Sequence, residues 1–310
     1  MNKITEDFDE FIEEISLNES LKNDIISKHN SLGDMIKKET PDGYIVERIL
    51  LSGSYAKHTV LNEYDKDKKP DVDMIVIIKD ENQDADTVNS DFLAYFKNKK
   101  GNVVSEIRQQ SNSIGLIYSN ISVDIVIATY DKQKDILKIV SNKKHTWIES
   151  NALKHIDYMK DKNSTYEGFS YYSLMKLFKY LNKEIYKTKI KSYTLEQLIH
   201  LCAPYPSVGT RLHQAFVETI NNVSELSSIY EIRDCCDNSK KGYDDKDINV
   251  FEEFKALISE TAELANSAVE GNRKDWEKIF GERFPEQLDK KVENNANYDK
   301  TQTPWCNNKR

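Results

Sequence analysis

From Asp71 to Ile78 the chain reads DVDMIVII, two carboxylates two positions apart at the mouth of an apolar run. Alternation along a strand puts Asp71 and Asp73 on one face, with Val72 and Met74 on the other. Carboxylates set side by side repel, so their place at the start of a buried strand implies a cation between them. Hard oxygen ligands of this kind suit Mg2+, with Mn2+ as the alternative ion. A third acid, Asp124, interrupts the similar run ISVDIVIA. Three such acids on neighbouring strands predict a two-metal site, in which one ion activates an attacking hydroxyl and the other steadies a departing phosphate. Asp71, Asp73 and Asp124 are thus the expected metal ligands and the expected catalytic residues.

A lone D-x-D carries little weight, since acids at strand ends are common and Asp71 follows the polar DKDKKP. The preceding segment adds to it. Gly53 and Ser54 end the apolar RILL and lead into the helix-compatible YAKHTVL. This places Ser54 as an N-cap, where the first backbone N–H groups of a helix attract phosphate.

The flanks set the architecture. Residues 5 to 38 carry Phe8, Phe11, Ile12, Ile15, Leu21, Ile25 and Ile26 at helical spacing, closed by Pro41 and Gly43, which fits one long helix or two in series. From Tyr44 the period changes. YIVERILL, DVDMIVII, NVVSEIRQQ, IGLIY and ISVDIVIA are short and β-branched, giving a sheet of about five strands with one helix over DTVNSDFLAYFKNKK. Beyond about residue 145 helical periodicity takes over, so the chain reads as α+β. Its expected units are a catalytic lobe with the N-terminal helix over 1–145, a helical lobe over 146–285 and a polar tail over 286–310, with Trp305 as a docking point.

The 310 residues carry a net charge of −8, which argues against general binding of duplex DNA, although a local basic groove is compatible with it. No apolar run approaches the roughly 18 to 20 residues that cross a bilayer, and the start, MNKITEDFDEFIEEI, is acidic where a signal peptide is basic then apolar. The expectation is a cytoplasmic protein with no membrane partner. Cys202, Cys235, Cys236 and Cys306 contain no CxxC pair, which argues against a disulfide framework. His200, Cys202, Cys235 and Cys236 could be imagined as a zinc set, but zinc sites usually have tighter paired spacing, and plain thiols are the favoured reading.

GSY with Thr59, then DVD, then Asp124, resembles the polymerase-β-type nucleotidyltransferases, and among them the cGAS/DncV-like enzymes (CD-NTases) of bacterial anti-phage (CBASS) signalling. By motif the resemblance spans roughly residues 40 to 200. Two departures stand out: His58 occupies the place of a small residue in many members, and the interval from Ser54 to Asp71 is longer than the minimal version, its polar NEYDKDKKP reading as a rim loop. The resemblance implies a bilobal fold, with a mixed sheet and long N-terminal helix packed on a helical lobe. It also gives roles to the second half. In YYSLMKLFKYLNKEIY, Leu174, Leu177, Phe178, Leu181 and Ile185 make one helix face, and Lys176, Lys179, Lys183 and Lys187 another, ordinarily a solvated one. Similar enzymes use a lysine on this helix to contact the triphosphate, which maps to Lys179, with Lys176 as the second candidate. Ser192 and Tyr193 of KSYTLEQL match a pair that binds phosphate and stacks on a base; a buried aromatic at a helix start is the competing reading of Tyr193.

The expected nucleotide-binding residues are Gly53 and Ser54, from the turn and its N-cap, and Lys179, Lys176, Ser192 and Tyr193, from what the resemblance implies. The implied activity is template-independent joining of nucleoside triphosphates, ATP and/or GTP, into a cyclic or short linear oligonucleotide messenger that acts through an effector protein. Transfer of a nucleotide to a protein, RNA or small molecule is the rival reading, with a non-catalytic nucleotide-binding relative behind it. Retention of all three acids argues against the last.

Overall fold

The helix-period segment at the N-terminus forms two helices, α1 (Lys3–Ile15) and α2 (Glu19–Lys38), in the computed structural model, which describes residues 3–41, 43–62, 69–79, 83–99, 104–188 and 190–285. The expected tail with Trp305 and Cys306, and most of NEYDKDKKP, lie outside the described residues. Asn18 separates the helices because its side chain accepts the Leu21 N–H at 2.9 Å and caps α2. β1 (Val46–Ser52) runs into a single helical turn, α3 (Gly53–Ala56), and β2 (Asp71–Ile78) returns antiparallel beside β1. α4 (Ala85–Asn98), capped by Asp84, follows. The sheet is completed by β3 (Glu106–Gln109), β4 (Ile114–Ile117), β5 (Ser122–Asp131), β6 (Ile136–Ser141) and β7 (Thr146–Ser150).

Among the described residues the sheet has seven strands where about five were expected. β2 and β5 lie parallel at its centre, and β5 is long enough to pair with β4 through its first half and with β6 through its second. The sheet therefore runs to Ser150, past the boundary expected near residue 145. β6 (ILKIVS) and β7 (TWIES) mix polar and charged residues with apolar ones, and their alternation is too weak to register as strands by pattern alone.

The helical lobe consists of α5 (Ala152–Thr165), α6 (Tyr171–Tyr180) with a π-helical turn over Leu181–Ile185, α7 (Ser192–Cys202), α8 (Leu212–Glu225), α9 (Ile248–Val269) and α10 (Lys274–Phe280), with a small hairpin, β8 (Arg233–Asp234) and β9 (Asp237–Lys241), between α8 and α9. That hairpin was not expected. Phe8, Phe11 and Ile15 of α1 pack into the core of this lobe, among Phe178, Phe216, Trp276 and Phe280, while Ile25, Leu32 and Ile36 of α2 pack under the sheet with Val72, Met74 and Val76. α1 thus belongs by its packing with the helical lobe, where the sequence reading had put it with the sheet. Among the described residues no helix is long and apolar enough to cross a membrane.

Candidate active site

Parallel pairing of β2 with β5 sets Asp71 opposite Ser122 and Asp73 opposite Asp124. Residues paired in a sheet share a face, so all three carboxylates project from the same side of the central strands. Farther along that side Ile75, Ile77 and Ala128 close a small apolar core with Leu137. The acids therefore stand where the buried face opens into a cleft between the lobes.

Two of the three carboxylates are held by a side-chain hydrogen bond. Ser122 Oγ donates to Asp71 Oδ1. Gln110 Nε2 donates to Asp124 Oδ1 at 3.0 Å and is itself held by Ser113. That reach depends on Gly115, paired with Asp124 across β4, because a Cβ there would lie 2.9 Å from Gln110 Nε2 and 3.2 Å from Asp124 Oδ1. Burial pushes the Asp73 carboxyl above the usual range, with the Asp71 charge adding to it and Lys57 opposing it. Asp124 is pushed up to about 6 by burial and by the charges of Asp73 and Asp71. Three clustered acids in this state are a donor set that a divalent cation would complete.

Gly53 meets Asp73 from the β1 side. Its φ of +58° lies in the left-handed region, and a Cβ on it would sit 1.7 Å from Asp73 Oδ2, so only glycine fits between the turn and the acid. The expected cap is displaced: Ser52 is the N-cap and Ser54 is the second residue of α3, which is one turn long, not a helix through YAKHTVL. His58 ends this segment at φ 56° and packs against Tyr172.

Across the cleft, Lys179 is 4 % exposed, not part of a solvated lysine face. Its Nζ donates to Thr59 Oγ1 and to Glu196 Oε1, both at 2.8 Å, and Lys57 pairs with the other oxygen of Glu196. Burial would raise the Glu196 carboxyl, but Lys179 and Lys57 hold it down to about 2. Ser192 opens α7, and the Tyr193 hydroxyl reaches Asp234 Oδ2 at 2.9 Å and the Lys241 carbonyl at 3.1 Å. Gly53, Ser54, Asp71, Asp73, Asp124, Lys179, Ser192 and Tyr193 line one cavity of about 330 Å³. Lys176 does not. It lines a neighbouring cavity beside α1 and α2, where its Nζ donates to Ser16 Oγ at 2.7 Å. Sequence reasoning missed Lys57, Gln110 and Glu196; Glu196 alone left a trace, standing four residues after Ser192 on the same helix face.

A mixed sheet carrying three acids at its centre, with a helical lobe closing the cleft, defines a polymerase-β-like nucleotidyltransferase of the cGAS/DncV type. Residues 2–163 match the Second Messenger Oligonucleotide or Dinucleotide Synthetase domain family, and the chain belongs to that family of metal-dependent enzymes, which make cyclic oligonucleotide messengers from nucleoside triphosphates. A cyclic AMP-AMP-AMP synthase of Acinetobacter sp. is 23% identical over 305 residues, covering 93% of this chain and 88% of that protein. CdnC of E. coli MS115-1, solved in complex with HORMA-deltaN, superposes with a TM-score of 0.66 at 17% identity, covering 91% of this chain and 98% of CdnC. CdnG of Bradyrhizobium diazoefficiens, solved with GTP, gives 0.67 at 12% identity, covering 90% and 95%.

Proposed function

We propose that the chain joins nucleoside triphosphates into a cyclic oligonucleotide that signals through an effector protein in anti-phage defence, with the chemistry at Asp71, Asp73 and Asp124. The observation that carries this is the shared rung of Asp73 and Asp124, with Asp71 on the same face. Asp71, Asp73 and Asp124 would hold two Mg2+ ions, which when bound activate the acceptor hydroxyl and neutralise charge on the departing pyrophosphate. The acceptor oxygen forms a bond to the α-phosphorus, the bond from that phosphorus to the bridging oxygen breaks, and pyrophosphate leaves. Asp124 helps to draw off the hydroxyl proton. Gly53 and Ser54 offer backbone N–H groups and a hydroxyl to the β- and γ-phosphates, with Lys179 and Ser192 facing them across the cavity. Lys179 reaches phosphate while Lys57 keeps Glu196 paired. Tyr193 supplies a ring for a base.

The similarity to a cyclic AMP-AMP-AMP synthase makes ATP the first substrate to try. The test is incubation with the four ribonucleoside triphosphates and Mg2+, then mass spectrometry of phosphatase-resistant products. A cyclic product that is absent with Asp73→Asn supports the reading. Labelling of protein or RNA, with no free oligonucleotide formed, would overturn it.

A further inference from the structure

Outside the carboxylate cleft, α5 and the β8–β9 turn bring together a second set of ligand atoms. His155 Nε2, a carboxylate oxygen of Asp234 and the Sγ atoms of Cys235 and Cys236 all lie within 4.8 Å of one another. The two sulfurs are 3.7 Å apart, close to the edge of roughly 3.8 Å in a tetrahedron with metal–sulfur bonds of about 2.3 Å. His155 Nε2 lies 3.1 Å and 3.0 Å from the two Asp234 oxygens, near the nitrogen–oxygen edge of about 3.3 Å in the same figure. The backbone of the turn is held by hydrogen bonds from within the set and from α7. Asp234 Oδ1 accepts the N–H groups of Cys236 and Asp237 at 2.8 Å and 3.1 Å, and Gln197 Oε1 accepts that of Cys235 at 2.7 Å. Asp234 itself is buried.

We propose that His155, Asp234, Cys235 and Cys236 form a structural zinc site. One imidazole nitrogen, one carboxylate and two thiolates make a four-ligand set that suits Zn2+ and not the Mg2+ of nucleotide chemistry. All four positions are filled by protein, so the ion ties the hairpin to α5 and carries no reaction. On binding, the two thiol protons leave to solvent, and the imidazole binds through Nε2 with its proton on Nδ1. His200 and Cys202, the partners considered in the sequence, are not in the set: the Tyr171 hydroxyl bonds His200 Nδ1 at 3.0 Å, and Cys202 is buried in the helical core.

The position gives the ion a consequence at the cleft. Tyr193, which lines the cavity, hydrogen-bonds Asp234, and its ring centroid is 5.8 Å from that of His155. Zinc would therefore stiffen the wall read above as the base-stacking side; this consequence rests on the proposed function, whereas the site does not.

The test is the metal content of the full chain, purified with zinc and without chelator, with Co2+ substitution as the spectroscopic probe. Expected are about one zinc per chain, a cobalt spectrum with thiolate charge-transfer bands and tetrahedral intensity, and more than about tenfold weaker zinc binding in His155→Gln and in the Cys235→Ser/Cys236→Ser double variant. Cys306→Ser should change none of these. If the double variant does not fold, His155→Gln and chelator treatment of the wild type decide, read as a drop in Tm restored by zinc and not by magnesium. Absence of zinc with an octahedral cobalt spectrum, zinc retained unchanged in both variants, or a Cys235–Cys236 disulfide that takes up no zinc after reduction would overturn the site. None of these readouts needs nucleotide turnover, so a catalytically silent protein with one zinc refutes the proposed function and leaves the site standing.

Discussion

Asp73 and Asp124 occupy one rung of the parallel pair β2–β5, which brings their strands to about 4.8 Å and their carboxylates to the same face. Without a cation this is a repulsive arrangement. Asp124→Asn is expected to stabilise the fold in EDTA at neutral pH, by on the order of 1 to 3 kcal/mol after allowance for solvent screening and read as a higher Tm, while abolishing product formation. The folded protein holds the Asp124 proton to about pH 6 against an ordinary 3.8, so stability falls as pH rises through that window. The gain in the Asn variant should thus vanish below about pH 4. Mg2+ should stabilise the wild type more than the variant. An Asn variant that melts lower than wild type at pH 8 in EDTA would contradict the arrangement.

Gly53→Ala tests the approach of α3 to the acids. The new Cβ would overlap Asp73 Oδ2, and φ of +58° costs roughly 1 to 2 kcal/mol for an L side chain. Activity should fall by more than about a hundredfold, the size of a misplacement of an ångström at a reacting group. Circular dichroism should show a retained fold. Near-normal turnover would mean that Asp73 is free to move aside.

The acids were legible in the sequence because a charge inside an apolar strand is conspicuous and strand alternation fixes its face. Gly53 was legible as a turn, but its contact with Asp73 was not, since that contact exists only once β1 pairs with β2. The fold class was legible for the same local reasons. β6 and β7 were not, because their burial comes from pairing against the second half of β5 and not from their own pattern. Lys179 illustrates the limit most clearly. Helical spacing put it on a charged stripe with Lys176 and Lys183, and its partner Glu196 lies on another helix, where no periodicity could point to it.

Breaking the buried Lys57–Glu196–Lys179 cluster should be expensive for folding. Glu196→Gln leaves two cations without their carboxylate and should destabilise by about 3 to 5 kcal/mol, whereas Glu196→Leu combined with Lys179→Met should recover part of that loss. The pH dependence has the opposite sign to that of Asp124. Glu196 is held near 2 against an ordinary 4.5, so its contribution is present above about pH 4.5 and is lost as pH falls toward 2. Urea melts of wild type and Glu196→Gln should therefore converge on acidification. A gap that stays constant down to pH 2.5 would show that the ionisation of Glu196 adds nothing to stability. Lys179→Ala should in addition raise the apparent nucleotide requirement by roughly ten- to a hundredfold.

Tyr193 separates ring from hydroxyl. The residue lines the cleft, and its hydroxyl is spent on Asp234 and the Lys241 carbonyl of the hairpin. Tyr193→Phe keeps the ring and removes a hydrogen bond to a buried carboxylate, so it should lower stability by about 1 to 3 kcal/mol and leave base preference unchanged. Tyr193→Ala removes the stacking surface as well. It should weaken nucleotide use by a further 1 to 3 kcal/mol, about five- to a hundredfold in apparent affinity, and shift the preference among the four triphosphates. Competition experiments with mixed triphosphates, read by mass spectrometry of the products, distinguish the two variants. If Phe and Ala shift base preference equally, the hydroxyl and not the ring reads the base. If neither shifts it, Tyr193 serves only to hold the β8–β9 hairpin against α7.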